Sequence, residues 1–310
     1  MNEISKLEYA LELLPDSLKG ALMCVSQSER EKITELRLRR GKFFSAVLFS
    51  KEYFITYDGR LMNSSLNAVR VGDEEIDFTF KRAFQGSVHS FARELSQGFI
   101  TCAGGNRVGF CGTAVIEPKT MEVTSVRNVS SINIRIAREI IGCAKLIYDK
   151  CFSDGISSLI VASPPCGGKT TILRDLCRLL GETKRVSVID ERGELACICD
   201  GIAQNDIGLR CDVFNGYPKA VAAMIAVRVM APEILVCDEI GSKEDLSSLE
   251  YALNSGVKLV CSAHASTFEE LKKRPAAGKL IKSHAFNYAA MLGTGSMCGR
   301  LTAFYRLEEC

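Results

Sequence analysis

Two hydrophobic rhythms run along the chain, and one gives way to the other near its middle. Apolar residues at Ile4, Leu7, Ala10, Leu11 and Leu14 recur at helical spacing, which predicts a helix over 3–14 stopped by Pro15. From Ile33 the period falls to two: Leu36 and Leu38 face one way, Arg37 and Arg39 the other. Apolar runs over 43–49 and 53–57, with an Asp58-Gly59 turn, extend the series of strands. A helix is expected over 74–83, a hairpin-like passage over 98–110 around Gly104-Gly105, and strands over 112–117 and 132–136. Residues 137–148 read as a linking helix. Beyond it, continuous apolar strands over 159–162, 185–190, 233–238 and 257–262 alternate with helical stretches over 217–230 and 243–254. Such strands between helices predict a parallel sheet covered on both faces. The expected fold class is therefore α/β. A smaller mixed α/β domain, 1–138, precedes a parallel-sheet domain, 139–310.

Ligands of parallel α/β sheets bind beyond the carboxyl ends of the strands, so the chemistry is sought there. The strand beginning at Leu159 runs into Ser163-Pro164-Pro165-Cys166-Gly167-Gly168-Lys169-Thr170-Thr171, and a helix opens at Lys169. Strand, small-residue loop and helix N-terminus form the layout of a phosphate-binding loop. Gly167 and Gly168 let backbone N–H groups turn towards an anion, Lys169 reaches the β- and γ-phosphates, and the Thr170 hydroxyl is offered to Mg²⁺. Ser163 stands where the usual pattern begins with glycine. A bare Pro/Gly turn before Lys-Thr is the alternative, and it explains neither the strand nor the helix.

Two more strands end in acid. Val236-Cys237-Asp238-Glu239 places Asp238 to hold the Mg²⁺ shell and Glu239 to orient or deprotonate an attacking water. Ile189-Asp190-Glu191-Arg192 repeats the pattern, with a solvated turn as the other reading. His264, in Cys261-Ser262-Ala263-His264-Ala265, is either a sensor of the γ-phosphate or a partly buried structural histidine.

Composition narrows the classes. With 310 residues, 47% of them hydrophobic and 25% charged, the chain is globular rather than disordered or fibrous. A net charge of +2 is no footprint for bulk nucleic-acid binding, and the Arg37, Arg39, Arg40, Lys42 run reads as a solvated sheet face. The most apolar stretch, 220–227, is closed by Lys219 and Arg228 and falls far short of the roughly 20 residues of a membrane span. The N-terminus lacks the basic-then-apolar pattern of an export signal. Fourteen cysteines lie scattered in apolar segments without any Cys-x-x-Cys pair, which points to reduced core thiols and a cytoplasmic setting.

Taken together, Ser163 to Asp175, Asp190-Glu191-Arg192, Arg228-Val229-Met230-Ala231-Pro232-Glu233 leading into Cys237-Asp238-Glu239-Ile240-Gly241, and Ser262-Ala263-His264-Ala265 resemble four motifs of the type II/IV secretion ATPases. These are the Walker A, Asp box, Walker B and His box. Glu35 to Gly41, Gly98 to Gly109 and Asn133 to Ala137 are similar to a sporulation branch of the same superfamily, so the resemblance spans nearly the whole chain. It implies a RecA-like ATPase using ATP and Mg²⁺, a homo-oligomer of hexameric type. It also implies membrane-protein partners in a channel made during endospore formation, on the cytoplasmic side of that membrane in the mother cell, with nucleic acid not a partner. Phosphoryl transfer calls for further positive charge on the γ-phosphate. The strand-end arginines Arg107, Arg135 and Arg138 are the candidates, and the resemblance implies that they act within their own chain. ATP-driven nucleic-acid handling and a nucleotide-binding scaffold with little turnover are the alternative readings, since a RecA-like fold serves many functions.

Overall fold

A Ser5 capping box starts the first helix, Lys6–Leu11: the Ser5 Oγ accepts from the Glu8 N–H at 3.3 Å, and the Glu8 carboxylate accepts from the Ser5 N–H at 2.8 Å. The computed structural model describes residues 5–84, 98–119, 121, 123–241 and 243–307, without the side chains of 243–245. Residues 3 and 4 of the expected helix lie outside these. The chain divides into two compact units, Met1–Arg138 and Glu139–Cys310.

In the first unit a second helix, Asp16–Cys24, follows directly on Pro15; Gly20 in its middle hides it from the hydrophobic pattern. The strands are β1 Ile33–Arg39, β2 Ser45–Leu48, β3 Lys51–Ile55, β4 Leu61–Met62, β5 Phe99–Thr101, β6 Arg107–Ile116 and β7 Val123–Arg135. They form one antiparallel sheet in the order β4-β3-β2-β1-β7-β6-β5. The passage expected over 98–110 is β5, a tight turn over Ala103–Gly105, and the start of β6. Leu36, Leu38, Val108, Phe110, Ile132 and Ile134 lie in one buried core beside the helices. On the other face Arg37 pairs with Glu35 at 2.6 Å and Arg39 with Glu52, while Arg40, just past β1, pairs with Asp73 at 2.7 Å and Asp77 at 2.9 Å. Acids thus match these three arginines, as a solvated sheet face requires.

The second unit begins differently from expectation. Residues 137–144 are not helical; the helix is Lys145–Phe152, after a left-handed Gly142 and the β-branched pair Ile140-Ile141. The strands are β8 Leu159–Ser163, β9 Val186–Asp190, β10 Cys211–Asn215, β11 Ile234–Cys237, β12 Lys258–His264, β13 Tyr288–Leu292 and β14 Leu301–Arg306, in the order β10-β9-β11-β12-β8-β13-β14. All pairs are parallel except β13 with β14. Ile160 and Ala162 of β8 enter one core, Leu159 and Val161 the other, so both faces are covered. The helix expected over 217–230 is α-helical over Lys219–Ile225 and widens to a π-turn over Ala226–Met230.

Asn106 ties the first unit together from a fully buried position: its Nδ2 donates to the Lys6 carbonyl at 2.7 Å and the Ala103 carbonyl at 3.3 Å, and its Oδ1 accepts from the Ala137 N–H at 2.9 Å. Asn106→Ala leaves three backbone groups without this partner and lowers stability by about 2–3 kcal/mol. Urea unfolding followed by circular dichroism measures it; a midpoint equal to the parent's counts against this role.

Candidate active site

Strand register decides which side chains meet. Pairing of β8 with β12 sets His264 beside Ser163, and pairing of β11 with β12 sets Cys237 beside Cys261, so Asp238 emerges next to Ser262. The Ser262 hydroxyl donates to Asp238 Oδ1 at 2.8 Å and accepts from the Glu239 N–H at 3.0 Å. The same N–H also reaches Asp238 Oδ1 at 3.0 Å. Ser262 thus sets both acids at the end of β11.

The loop between β8 and the helix Lys169–Gly181 is cut to the shape of its glycines. A Cβ on Gly167 would meet the Ser163 Oγ at 2.2 Å, and one on Gly168, at φ +84°, would meet the Gly299 Cα at 3.0 Å. The serine in place of the first glycine is accommodated because Gly167 has no side chain; its hydroxyl donates to the Pro164 carbonyl at 2.8 Å. From the β13–β14 turn, the Gly299 N–H donates to the Gly167 carbonyl and the Cys298 thiol to the Cys166 carbonyl, each at 3.1 Å. The cradle is therefore buttressed from outside.

Lys169 is nearly buried at 8% exposure. Its ammonium donates to the Ser163 and Pro164 carbonyls, both at 3.3 Å, and to His264 Nδ1 at 3.0 Å. Burial pushes its pKa below the usual lysine value, against the pull of Asp238 and Glu239. Because the ammonium donates to Nδ1, the imidazole carries its hydrogen on Nε2, which points to Glu239 Oε1 at 3.3 Å. Arg192 meets the other oxygen of that carboxylate at 3.3 Å. Lys169, His264, Glu239 and Arg192 form one line of contacts across three strand ends.

Glycines that admit no Cβ, a buried lysine held by neutral acceptors, and a helix N-terminus fit a nucleotide's phosphates. Thr170 Oγ1 lies 3.4 Å from Asp238 Oδ2, two hard oxygen donors side by side. Among the described residues no cluster of three His, Cys, Asp or Glu could hold a metal by protein ligands alone. This donor set suits Mg²⁺ carried in with phosphate, an ion that keeps most of its shell from substrate and water.

Other expected site residues fall elsewhere. Asp190 is buried and spent on its own turn: its oxygens accept the N–H groups of Glu194, Leu195 and Ala196 at 2.7, 3.0 and 2.9 Å, so it does not offer itself to Mg²⁺. Burial nevertheless raises its pKa above the usual aspartate value. Glu191 is half-exposed and faces Lys219 at 4.0 Å. Pro165 is exposed at the loop tip, and Thr171 lies in the first turn of the helix, its carbonyl accepting from the Cys143 thiol. Arg107 and Arg135 are direct partners at one end of β6 and β7. Arg107 lies over the Phe99 ring at 4.9 Å, Arg135 faces Glu35 at 4.0 Å, and Arg138 donates to the Glu31 and Ile33 carbonyls at 3.4 and 3.3 Å. Sequence reasoning missed Ser262, Arg192 and Lys219. Of these Lys219 carries a signal, a cation where a helix N-terminus disfavours one.

The family model described as "Sporulation stage III, protein AA" matches residues 5–309. The chain belongs to this family. The stage III sporulation protein AA of Bacillus subtilis (strain 168) is 32% identical along 98% of this chain and 95% of its own. Among solved structures, the Legionella pneumophila ATPase DotB superposes with a TM-score of 0.55 at 14% identity, over 94% of this chain and 77% of DotB. The pilus retraction motor PilT, solved with bound ADP, gives 0.55 at 13% identity, over 86% and 77%. At these identities the likeness is one of fold: a RecA-like P-loop domain preceded by a mixed α/β domain.

Cys166 is exposed on the phosphate loop, and Cys24 and Cys111 are exposed in the other unit. Mg²⁺-ATP is expected to slow alkylation of Cys166 by N-ethylmaleimide sharply while leaving Cys24 and Cys111 unchanged, read by peptide mass spectrometry. Equal labelling of Cys166 with and without saturating nucleotide contradicts the loop's role.

Proposed function

We propose that this family member hydrolyses ATP at the ends of β8, β11 and β12, and that turnover drives a membrane-associated assembly made during endospore formation. The observation that carries the first half is the contact line from Lys169 through His264 to Glu239, with Thr170 and Asp238 alongside. The second half is supported by family membership and by a fold shared with secretion and pilus motors. No described helix is long and apolar enough to cross a membrane, so the reading gives the membrane contact to partner proteins, with the chain as a homo-oligomer, hexameric in type, at the cytoplasmic face in the mother cell.

In this reading Lys169 and the N–H groups of the loop from Ser163 to Thr171 hold the β- and γ-phosphate oxygens. Thr170 Oγ1 and Asp238 hold Mg²⁺, which when bound neutralises phosphate charge. Glu239 takes the proton of the attacking water, its two oxygens oriented by His264 Nε2 and Arg192. As ATP enters, the Lys169 ammonium exchanges neutral partners for phosphate, which releases His264 Nδ1 to report that the γ-phosphate is present. Glu191 stands at the neighbouring strand end as a supporting acid, and Arg107, Arg135 and Arg138 supply further positive charge for turnover.

Glu239→Gln keeps Mg²⁺-ATP affinity close to the parent's and lowers phosphate release by about 10²- to 10⁴-fold, the range of a general base. Acid-quenched nucleotide from the variant is then ATP rather than ADP; turnover at the parental rate would remove Glu239 from the mechanism. Alanine at Arg107, Arg135 and Arg138 together leaves binding nearly intact and cuts turnover by about 10³-fold. Unchanged phosphate release from that triple variant argues against the arginines.

A further inference from the structure

We propose that Lys219 is a positioning residue for Glu239, acting through the main chain rather than on substrate; the inference rests on the ATPase reading above. Lys219 opens the helix Lys219–Ile225, and its side chain is only 9% exposed. A buried ammonium at a helix N-terminus is disfavoured twice, by desolvation and by the helix dipole, unless the partners it meets offset both. Those partners are at the site. Its Nζ donates to the Glu239 carbonyl at 2.6 Å and lies 4.0 Å from Glu191 Oε2.

The carbonyl it grips belongs to a strained residue. Glu239 has φ +27°, on the left-handed side where a non-glycine residue persists only if its surroundings hold it. Its N–H is held at 3.0 Å by the Ser262 hydroxyl, and the next N–H, of Ile240, donates to the Ser262 carbonyl at 2.8 Å. Strand β12 therefore fixes the amide side of this turn, and Lys219 fixes the carbonyl side. With the carbonyl released, φ relaxes towards the ordinary region and the Glu239 carboxylate swings away from His264 Nε2. Glu191, at the end of the adjacent strand β9, gives the ammonium a carboxylate neighbour. One buried cation thus links the acid ends of β9 and β11 and holds the proton acceptor in place.

The test compares Lys219→Met, which removes donor and charge at similar length, with Lys219→Arg, whose guanidinium can still donate to the carbonyl. Lys219→Met is expected to bind Mg²⁺-ATP within about threefold of the parent while kcat falls by about tenfold or more, a split that general structural damage does not give. Lys219→Arg recovers part of the lost kcat. Parental kcat in Lys219→Met overturns the proposal, as does a joint fall of affinity and kcat that Lys219→Arg does not relieve. Should Lys219→Met fail to fold, Lys219→Gln replaces it: reduced kcat at unchanged affinity supports the proposal and parental kcat overturns it. A parent without turnover counts against the ATPase reading alone. Affinity for ADP with aluminium fluoride then decides on Lys219: loss of this transition-state mimic in the variant, with ADP affinity kept, supports it, and equal affinity for both overturns it.

Discussion

The parallel register of β11 against β12 is the constraint on which the site depends. Because Cys237 lies beside Cys261, the first residue past β11 faces a serine hydroxyl that donates to its carboxylate and accepts from the next N–H. A slip of one residue would send Asp238 and Glu239 to opposite faces from those they now occupy. The register is guarded by burial on both sides, since every residue from Ile234 to Cys237 is fully buried. Stability and chemistry therefore use the same pairing.

Charge at the site follows from what burial allows. A lysine as enclosed as Lys169 needs hydrogen-bond acceptors, and the loop supplies neutral ones, carbonyls and an imidazole nitrogen. Neutral acceptors satisfy its hydrogens without quenching its charge, so the positive field stays available to a phosphate. The carboxylates stand one step away, oriented by Ser262, His264 and Arg192. The site is prebuilt rather than assembled from mobile parts, which is the condition for electrostatic stabilisation to be effective.

Much of this was legible in the sequence, for identifiable reasons. The strands at 159–163, 186–190, 234–237 and 258–264 are continuous apolar runs, and such runs announce themselves. The phosphate loop is local, written in consecutive residues. What escaped notice is non-local or weakly patterned. Tyr288–Leu292 is rich in small residues that favour helix as readily as strand, Cys211–Asn215 is a short edge strand, and the helix Asp16–Cys24 is broken by Gly20. Residues 137–144 carry apolar spacing, yet Gly142 adopts a left-handed conformation that ends any helix there. Asp190 looks like a third acid at the sheet edge, but three backbone N–H groups claim it, a fate that only the folded turn reveals. Lys219 and Ser262 act through contacts with residues 20 and 23 positions away, which no local pattern encodes.

The first unit carries its own economy of charge, with arginines on the exposed sheet face answered by Glu35, Glu52, Asp73 and Asp77. That pairing explains why a run of basic residues there does not amount to a surface for polyanions. The central claim concerns the other unit, that Lys169 and its loop form a site of nucleotide hydrolysis. Its most direct test is phosphate release from Mg²⁺-ATP by the purified chain beside its Lys169→Ala variant, with nucleotide binding measured on both. The account predicts phosphate release from the parent and neither binding nor release from the variant; equal binding and equal release by the two would contradict it.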